Sequence, residues 1–285
     1  MEFRPLKPED KEAALAIAAE TWDGEDYIHL IWDEWMNEED GEFTAILSNG
    51  ELVGYGKFTL LGPGEVWLHG ARIKKERRGE GIGSALLEYF LDKAQKDGME
   101  VVRYAAHASN DASIGMGLNR GASIAGKYHL FSRPLTAPTP EAKTVPHQVA
   151  EITPQVIEDI QRCPFIKYGS GFMASNWQIR KVGRHSLEQY LEKGEIYAMH
   201  RGYILYTPPS SPKDFAYISA ISGSLEVQNL LLNWALNQSK KQKAGSVMVK
   251  IPSYPPLIQF FRRRGFLPWG KATEPDFLLL EFKLS

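Results

Sequence analysis

Gly79, Gly81 and Gly83 fall within five residues, inside the stretch Ala71–Ala85, ARIKKERRGEGIGSA. Val66–Ile73 before them reads as a strand. Ser84–Lys96 after them reads as a helix, with Ala85, Leu86, Phe90 and Ala94 at helical spacing. A chain that passes from strand to helix through this much glycine can bend tightly and let another group approach its backbone closely. The first amides of the helix have no intrahelical acceptor. With the helix dipole they form an anion site suited to a pyrophosphate, and Lys74, Lys75, Arg77 and Arg78 add positive charge. Two other phosphate motifs fail here. A Walker loop needs Lys and then Ser or Thr after its last glycine, where this chain has Ser84-Ala85. A dinucleotide fingerprint needs G-x-G-x-x-G, which the spacing 79, 81, 83 does not supply.

The elements around this junction alternate. Glu2–Leu6 reads as a strand, and Pro8-Glu9-Asp10 opens a helix over Lys11–Thr21. Tyr27–Met36 is an aromatic-rich helix. Phe43–Leu47 and Leu52–Leu60 form a hairpin turning at Asn49-Gly50. Val101–Ala106 is a strand, Asp111–Arg120 a helix and Lys127–Ser132 a closing strand. Ser132–His147 then holds Pro134, Pro138, Pro140 and Pro146, a density that favours an extended linker. Beyond it part of the order repeats. Glu195–Leu205 gives two short strands, Phe215–Ile221 a strand, Leu225–Gln238 a helix, Val247–Ile251 a strand, Leu257–Arg263 a helix and Phe277–Phe282 a last strand. NRGAS (Asn119–Ser123) and RRGFL (Arg263–Leu267) each follow a short helix that follows a strand, which points to a divergent internal duplication.

Composition narrows the function. Lys plus Arg is 33 and Asp plus Glu is 35, a balance unlike the basic surplus of a nucleic-acid binder. Cys163 is the single cysteine, so neither an internal disulfide nor a cysteine-built zinc site is expected, and no metal is expected. MEFRPLKPED lacks the apolar stretch of a signal peptide, and no run approaches a membrane span of about 20 apolar residues. A cytoplasmic protein without a membrane partner is the expectation.

In its order of elements and in Arg78-x-x-Gly81-x-Gly83, which matches Q/R-x-x-G-x-G/A after the fourth strand, residues 1–133 resemble the GNAT superfamily of N-acetyltransferases. The opening FRPLKPED, the hairpin before the motif and Asn110 after the fifth strand share that resemblance. It implies an α/β (α+β) protein of two GNAT-like domains, each a mixed, mostly antiparallel sheet flanked by helices and splayed near its middle. Residues 1–133 would be the acetyl-CoA-binding domain, 134–148 the linker and 149–285 a degenerate second domain. The resemblance also implies acetyl-CoA as co-substrate. Its pyrophosphate would lie on the amides of Arg78, Gly79, Glu80, Gly81, Ile82, Gly83 and Ser84, and its pantetheine arm beside Ala71, Arg72 and Ile73, with Asn110 facing it. One position departs from the pattern: Gly117 stands where the family often has the tyrosine that protonates the leaving thiolate.

An amine acceptor must lose a proton before it attacks. By strand alternation Glu65, Trp67, His69 and Ala71 share a face leading into the glycine loop. His69, with an ordinary pKa near 6.5, is the expected base, and Glu65 is the alternative. Asp23, Glu25, Asp26 and Tyr27, beside Trp22, Trp32 and Trp35, are the expected pocket for a cationic or zwitterionic amine. DGEDYI followed by a Trp-rich helix, with a second degenerate half, is similar to histidine N-acetyltransferase-like proteins, which favours a small amino acid or amine as acceptor. The competing class is a non-catalytic acyl-CoA sensor. In the second half, Ser222-Gly223-Ser224 has one glycine and no basic residue, so no cofactor is expected there. Phe261 stands at the tyrosine position, Arg262-Arg263-Arg264 reads as a solvated face, and Trp177 and Trp234 read as core.

Overall fold

A computed structural model describes residues 1–21, 26–142, 144–175 and 177–284. The chain divides into two compact units. The first holds Met1–Tyr104, Met116–Ser123 and Glu281–Ser285, and the second holds Ala105–Gly115 and Ile124–Leu280.

The first unit begins with β1 (Glu2–Pro5), a turn of 3-10 helix at Pro8–Asp10, α1 (Lys11–Ala19) and α2 (Ile28–Asn37). β2 (Gly41–Ser48) and β3 (Glu51–Gly62) follow as the expected hairpin. Asn49 and Gly50 both take positive φ at its turn, 51° and 80°, the backbone that an Asn-Gly pair tolerates best. β4 (Glu65–Ile73), α3 (Ile82–Lys96), β5 (Val101–His107) and α4 (Asp111–Leu118) complete the order. β1, β2, β3 and β4 pair antiparallel in sequence. β4 then pairs parallel with β5 from Glu65↔Val101 to Trp67↔Arg103 and no further, although both strands continue. That parting is the expected splay.

The two faces of this sheet follow from the side-chain period of two. On one face Phe43, Ala45 and Tyr55 pack with Ile17, Ile28, Trp32 and Trp35 of α1 and α2. On the other, Phe58 meets Phe90 of α3 at 5.7 Å. Gly56 has no side chain because a Cβ there would lie 2.8 Å from Leu86 of the same helix.

The remaining elements are β6 (Ser123–Pro134), β7 (His147–Gln148), α5 (Pro154–Gln161), α6 (Pro164–Lys167), β8 (Phe172–Ser175), β9 (Gln178–Lys181), α7 (Arg184–Glu192), β10 (Ile196–Met199), β11 (Gly202–Thr207), β12 (Phe215–Ile221), α8 (Leu225–Lys241), β13 (Ser246–Pro252), α9 (Pro255–Arg262), β14 (Leu267–Pro268) and β15 (Phe277–Lys283). In the second unit β7, β10, β11 and β12 pair antiparallel. β12 runs parallel to β13 from Phe215↔Ser246 to Ile218↔Val249, and the pairing again stops short of both strand ends. β13 pairs antiparallel with β6, a strand that precedes the proline-rich segment in sequence. The same order of pairings, with the same early parting of the one parallel pair, appears in both units. The β8–β9 hairpin and α7 were not anticipated, because their short, mixed sequences carry no strong period.

Candidate active site

The glycine loop leaves β4 through a 3-10 turn at Lys75–Arg77 and enters α3 at Ile82. Gly79 and Gly81 take φ of 86° and 81°, a region that favours glycine. An added Cβ at either would have nothing within 4 Å, and at Gly83 it would meet only Met116 Sδ at 3.8 Å. The glycines here therefore do not make room for the protein's own packing. The first amide of α3 with a helical acceptor is that of Ala85, 3.0 Å from the Gly81 carbonyl, so the amides of Ile82, Gly83 and Ser84 are left over. Arg77 is held by Glu80, and Lys74 by Glu51 and Glu76. Among the described residues Lys75 and Arg78 form no ion pair; Arg78 Nε donates to the Ile73 carbonyl at 3.1 Å. Among the described residues this is an open cradle of unpaired donors with spare positive charge, and its residues fit a pyrophosphate.

The corresponding loop of the second unit is built otherwise. Gly223 has φ of 100°, and a Cβ there would lie 2.9 Å from the Cα of Gly202. Ser224 Oγ accepts from the Val227 amide and so caps α8 itself. The glycine there packs against Gly202, and one first-turn amide of α8, that of Val227, is taken up by the Ser224 side chain.

β4 carries the main correction to the sequence reading. Lys57 faces His69 and Tyr55 faces Arg72, so Gly56 alone stands opposite Gly70 and Ala71. This is a β-bulge. Gly70 has φ of 65°, and a Cβ on it would sit 2.4 Å from Trp35 Cζ3. The extra residue breaks the alternation: Arg72, not Ala71, joins His69 on the face toward α2, and Ala71 is exposed on the opposite side.

His69 Nε2 lies 2.9 Å from Thr59 Oγ1, and its ring packs on Trp35 with centroids 4.5 Å apart. Burial, with the nearby charges of Lys57 and Arg72, pushes its pKa down to about 3. The expected value near 6.5 is thus overturned, and His69 is neutral throughout the physiological range. Glu65, at the start of β4, is engaged by Arg103 at 3.0 Å, and Arg103 also bonds Glu281 at 2.7 Å. Glu65 stands four residues before His69, about 13 Å along a strand.

Asp26 is buried. Its Oδ2 accepts from Arg72 Nε at 2.5 Å and its Oδ1 from the Ile28 amide at 2.9 Å, so both carboxylate oxygens serve the protein. Arg72 also donates to the Ala71 carbonyl and lies over the Tyr27 ring at 5.5 Å. Burial raises the pKa of Tyr27. Asp23 and Glu25 lie outside the described residues. Asn110 belongs to the second unit, where its Oδ1 accepts from the Ser113 amide and caps α4.

Sequence reasoning missed Lys57, whose fully buried ammonium donates to the Trp35 carbonyl at 3.0 Å and pairs with Glu38 at 2.7 Å, closing the end of α2. It also missed Tyr55, whose hydroxyl, like the indole N–H of Trp67, is buried without a hydrogen-bond partner among the described residues. No local signal marks these residues, since each gains its meaning from strand register.

Two readings of the second half also change. Trp177, expected in the core, is 39% exposed on the turn between β8 and β9. Arg264, expected on a solvated face, lies over Phe260 at 3.7 Å and bonds Asn229. Trp234 and Phe261 are core. Cys163 is buried, and burial pushes its thiol up to about 11, so it is no nucleophile. Among the described residues no helix is long and apolar enough to cross a membrane, and no group of three or more His, Cys, Asp or Glu could hold a metal ion.

Comparison with known proteins agrees with this geometry. Residues 8–118 match the acetyltransferase (GNAT) family, a span that holds the glycine cradle and the β4 bulge. This segment is similar to GNAT acetyltransferases. The curated relatives include an L-methionine sulfoximine/L-methionine sulfone acetyltransferase of Pseudomonas aeruginosa, 30% identical over 82 residues, or 27% of this chain and 48% of that protein. Histidine N-acetyltransferase of Xenopus tropicalis is 25% identical over 182 residues, 56% of each chain. The chain thus spans about half the length of the curated relatives it matches. In fold, it is similar along its whole length to a tandem GNAT protein from the clavulanic acid biosynthesis pathway, with TM-score 0.61, 16% identity, and 99% and 98% of the two chains covered. A GCN5-related N-acetyltransferase from Sphaerobacter thermophilus gives TM-score 0.64 at 14% identity over 99% and 95%.

Proposed function

We propose that this chain transfers acetyl from acetyl-CoA to the primary amine of a small amino acid or a related amine. The observation that carries the reading is the cradle at Gly79–Ser84, where, among the described residues, the amides of Ile82, Gly83 and Ser84 have no acceptor and Gly79 and Gly81 face open space. The amino-acid acetyltransferases among its relatives support the acceptor class. Acetyl-CoA would supply the activated acyl group. Gly79–Ser84 would hold its pyrophosphate, and the bulge at Gly70–Ala71 would set the end of β4 beside the arm.

His69 takes a different part from that of a base. An imidazole whose conjugate acid forms only near pH 3 is a poor proton acceptor at neutrality, but it offers a fixed hydrogen bond through the nitrogen that Thr59 leaves over. We assign it that neutral role. The ammonium proton of the acceptor then leaves to solvent, and the pH dependence of the rate follows the acceptor's own amine. Asp26 and Arg72 hold the segment before α2 against β4 and do not bind the acceptor's ammonium.

Gly117 at the tyrosine position favours the second reading, an acyl-CoA sensor without turnover. An amine panel assayed for thiol release decides between them. Acetyl-CoA consumption that depends on an amino acid upholds the transferase. Binding of acetyl-CoA with no amine-dependent thiol release across the panel overturns it in favour of the sensor.

A further inference from the structure

The buried cations Lys57, Arg72 and Arg103 of the first unit each meet a carboxylate: Glu38, Asp26, and Glu65 with Glu281, respectively. Arg133 of the second unit does not. It lies near the end of β6, opposite Val247 of β13, and is 6% exposed. Its Nη2 donates to the Pro138 carbonyl at 2.6 Å. Its Nε is enclosed without an acceptor among the described residues, and its Nη1 donates to none of them. Burial pulls its pKa down, and no neighbouring charge offsets this. An arginine keeps its charge all the same, and a cation this far from water is ordinarily paired. Room and further charge lie beside it. Gly265 is exposed and takes φ of 78°. The three atoms nearest to a Cβ on it would all belong to Arg133, the closest being Nε at 3.4 Å. Arg262, Arg263 and Arg264 lead into that glycine, and none of them forms an ion pair among the described residues.

We propose that Arg133 anchors a phosphate-binding site in the second unit: its guanidinium, approached from the side of Gly265, takes the phosphate group of a small ligand, and the arginines before that glycine supply the surrounding positive charge. The planar fork of a guanidinium suits phosphate oxygens, and such charge-assisted bonds are the strong ones. A phosphate monoester carries nearly two negative charges near pH 7, which matches a place with several cations and no carboxylate better than a singly charged acid does. Binding would give the idle donors of Arg133 their acceptors and the buried cation its missing counter-charge. The site lies wholly in the second unit. It stands independently of the transferase reading, because it uses neither the glycine cradle nor the acceptor side.

Thermal melts of the intact protein test this with inorganic phosphate as the probe, titrated against sodium chloride of equal ionic strength so that general screening cancels. The melting temperature of the parent should rise saturably, by about 2–4 °C once phosphate is about ten times its half-saturating concentration. Arg133→Met is similar in length and apolar, and should lose that part of the rise. Whatever remains in it measures phosphate taken elsewhere, the glycine cradle included, and the general stabilising effect of the salt. A rise of full size in Arg133→Met overturns the proposal. Arg133→Lys keeps the charge without the fork and should need about tenfold more phosphate for half of the rise. An unchanged half-saturating concentration in Arg133→Lys also overturns it, and this variant carries the test if Arg133→Met does not fold. Acetate probes the chemical class and should shift the parent no more than chloride does. An acetate response equal to that of phosphate would overturn the assignment of a phosphate group.

Discussion

Gly83→Glu separates what the protein needs for folding from what a ligand needs for binding. Gly83 is the second residue of α3, its φ is not positive, and an added Cβ would meet only Met116 Sδ at ordinary contact distance. Removing a helical glycine is worth roughly 0.5–1 kcal/mol. A carboxylate in the first turn adds roughly 0.3–1 kcal/mol through the helix dipole. The variant should therefore be about 1–2 kcal/mol more stable than the parent, a rise of a few degrees in melting temperature. The same carboxylate sits among the free amides of Ile82, Gly83 and Ser84 and repels a pyrophosphate. Losing two charge-assisted hydrogen bonds at about 1.5–3 kcal/mol each weakens acetyl-CoA binding by about 10²–10⁴-fold. Calorimetric titration with acetyl-CoA and a thermal melt, run on the same sample, read both effects. Unchanged affinity would remove this loop as the coenzyme cradle. Weaker binding with a lower melting temperature would show that Gly83 serves packing after all.

Three further outcomes follow from the sheet face that carries His69 and Arg72. His69 stays neutral in the folded state until about pH 3, while in the unfolded chain it gains a proton below about 6.5. Its contribution to stability is complete above pH 6.5 and declines as the pH falls toward 3, by up to about 1.4 kcal/mol per pH unit. Urea unfolding at pH 7 and pH 4.5 should show this decline in the parent and a smaller one in His69→Gln; equal slopes would refute the burial argument. Gly70→Ala combines a left-handed backbone with a 2.4 Å approach to Trp35, and should cost about 2–5 kcal/mol in the same assay; a loss below 1 kcal/mol would mean that the bulge is not needed. Asp26→Asn leaves the Arg72 charge buried beside a neutral amide and should cost about 3–5 kcal/mol, largely recovered when Arg72 is also made Met. A double variant no better than the single one would show that the pair is not the cause.

Much of the fold was legible because its signals are local. Asn49-Gly50 specifies a hairpin through positive φ alone. The apolar period from Ala85 to Ala94 specifies α3, and three glycines between a strand and a helix specify a place where backbone amides lie open. Those features depend on residues within a few positions of one another. The repeat of strand, helix and strand on both sides of the proline-rich segment was readable for the same reason, and both units show it.

What the tertiary structure alone decided depends on register. One extra residue at Gly70–Ala71 turns Arg72 to the face assigned to Ala71, and no local property of that sequence announces it. The pKa of His69 comes from Trp35, Lys57 and Arg72, brought to it by α2, by β3 and by the bulge itself, and the effect of enclosure on an imidazole cannot be read from the imidazole. Asp26 has the composition of an ammonium-binding residue, yet Arg72, 46 positions away, occupies it. Gly223 and Gly83 look alike in sequence. The first is pressed against Gly202, whereas a Cβ on the second would meet only Met116 Sδ at 3.8 Å, and only the packing of distant strands and helices separates a glycine that fills a fold from one that leaves room beside its backbone.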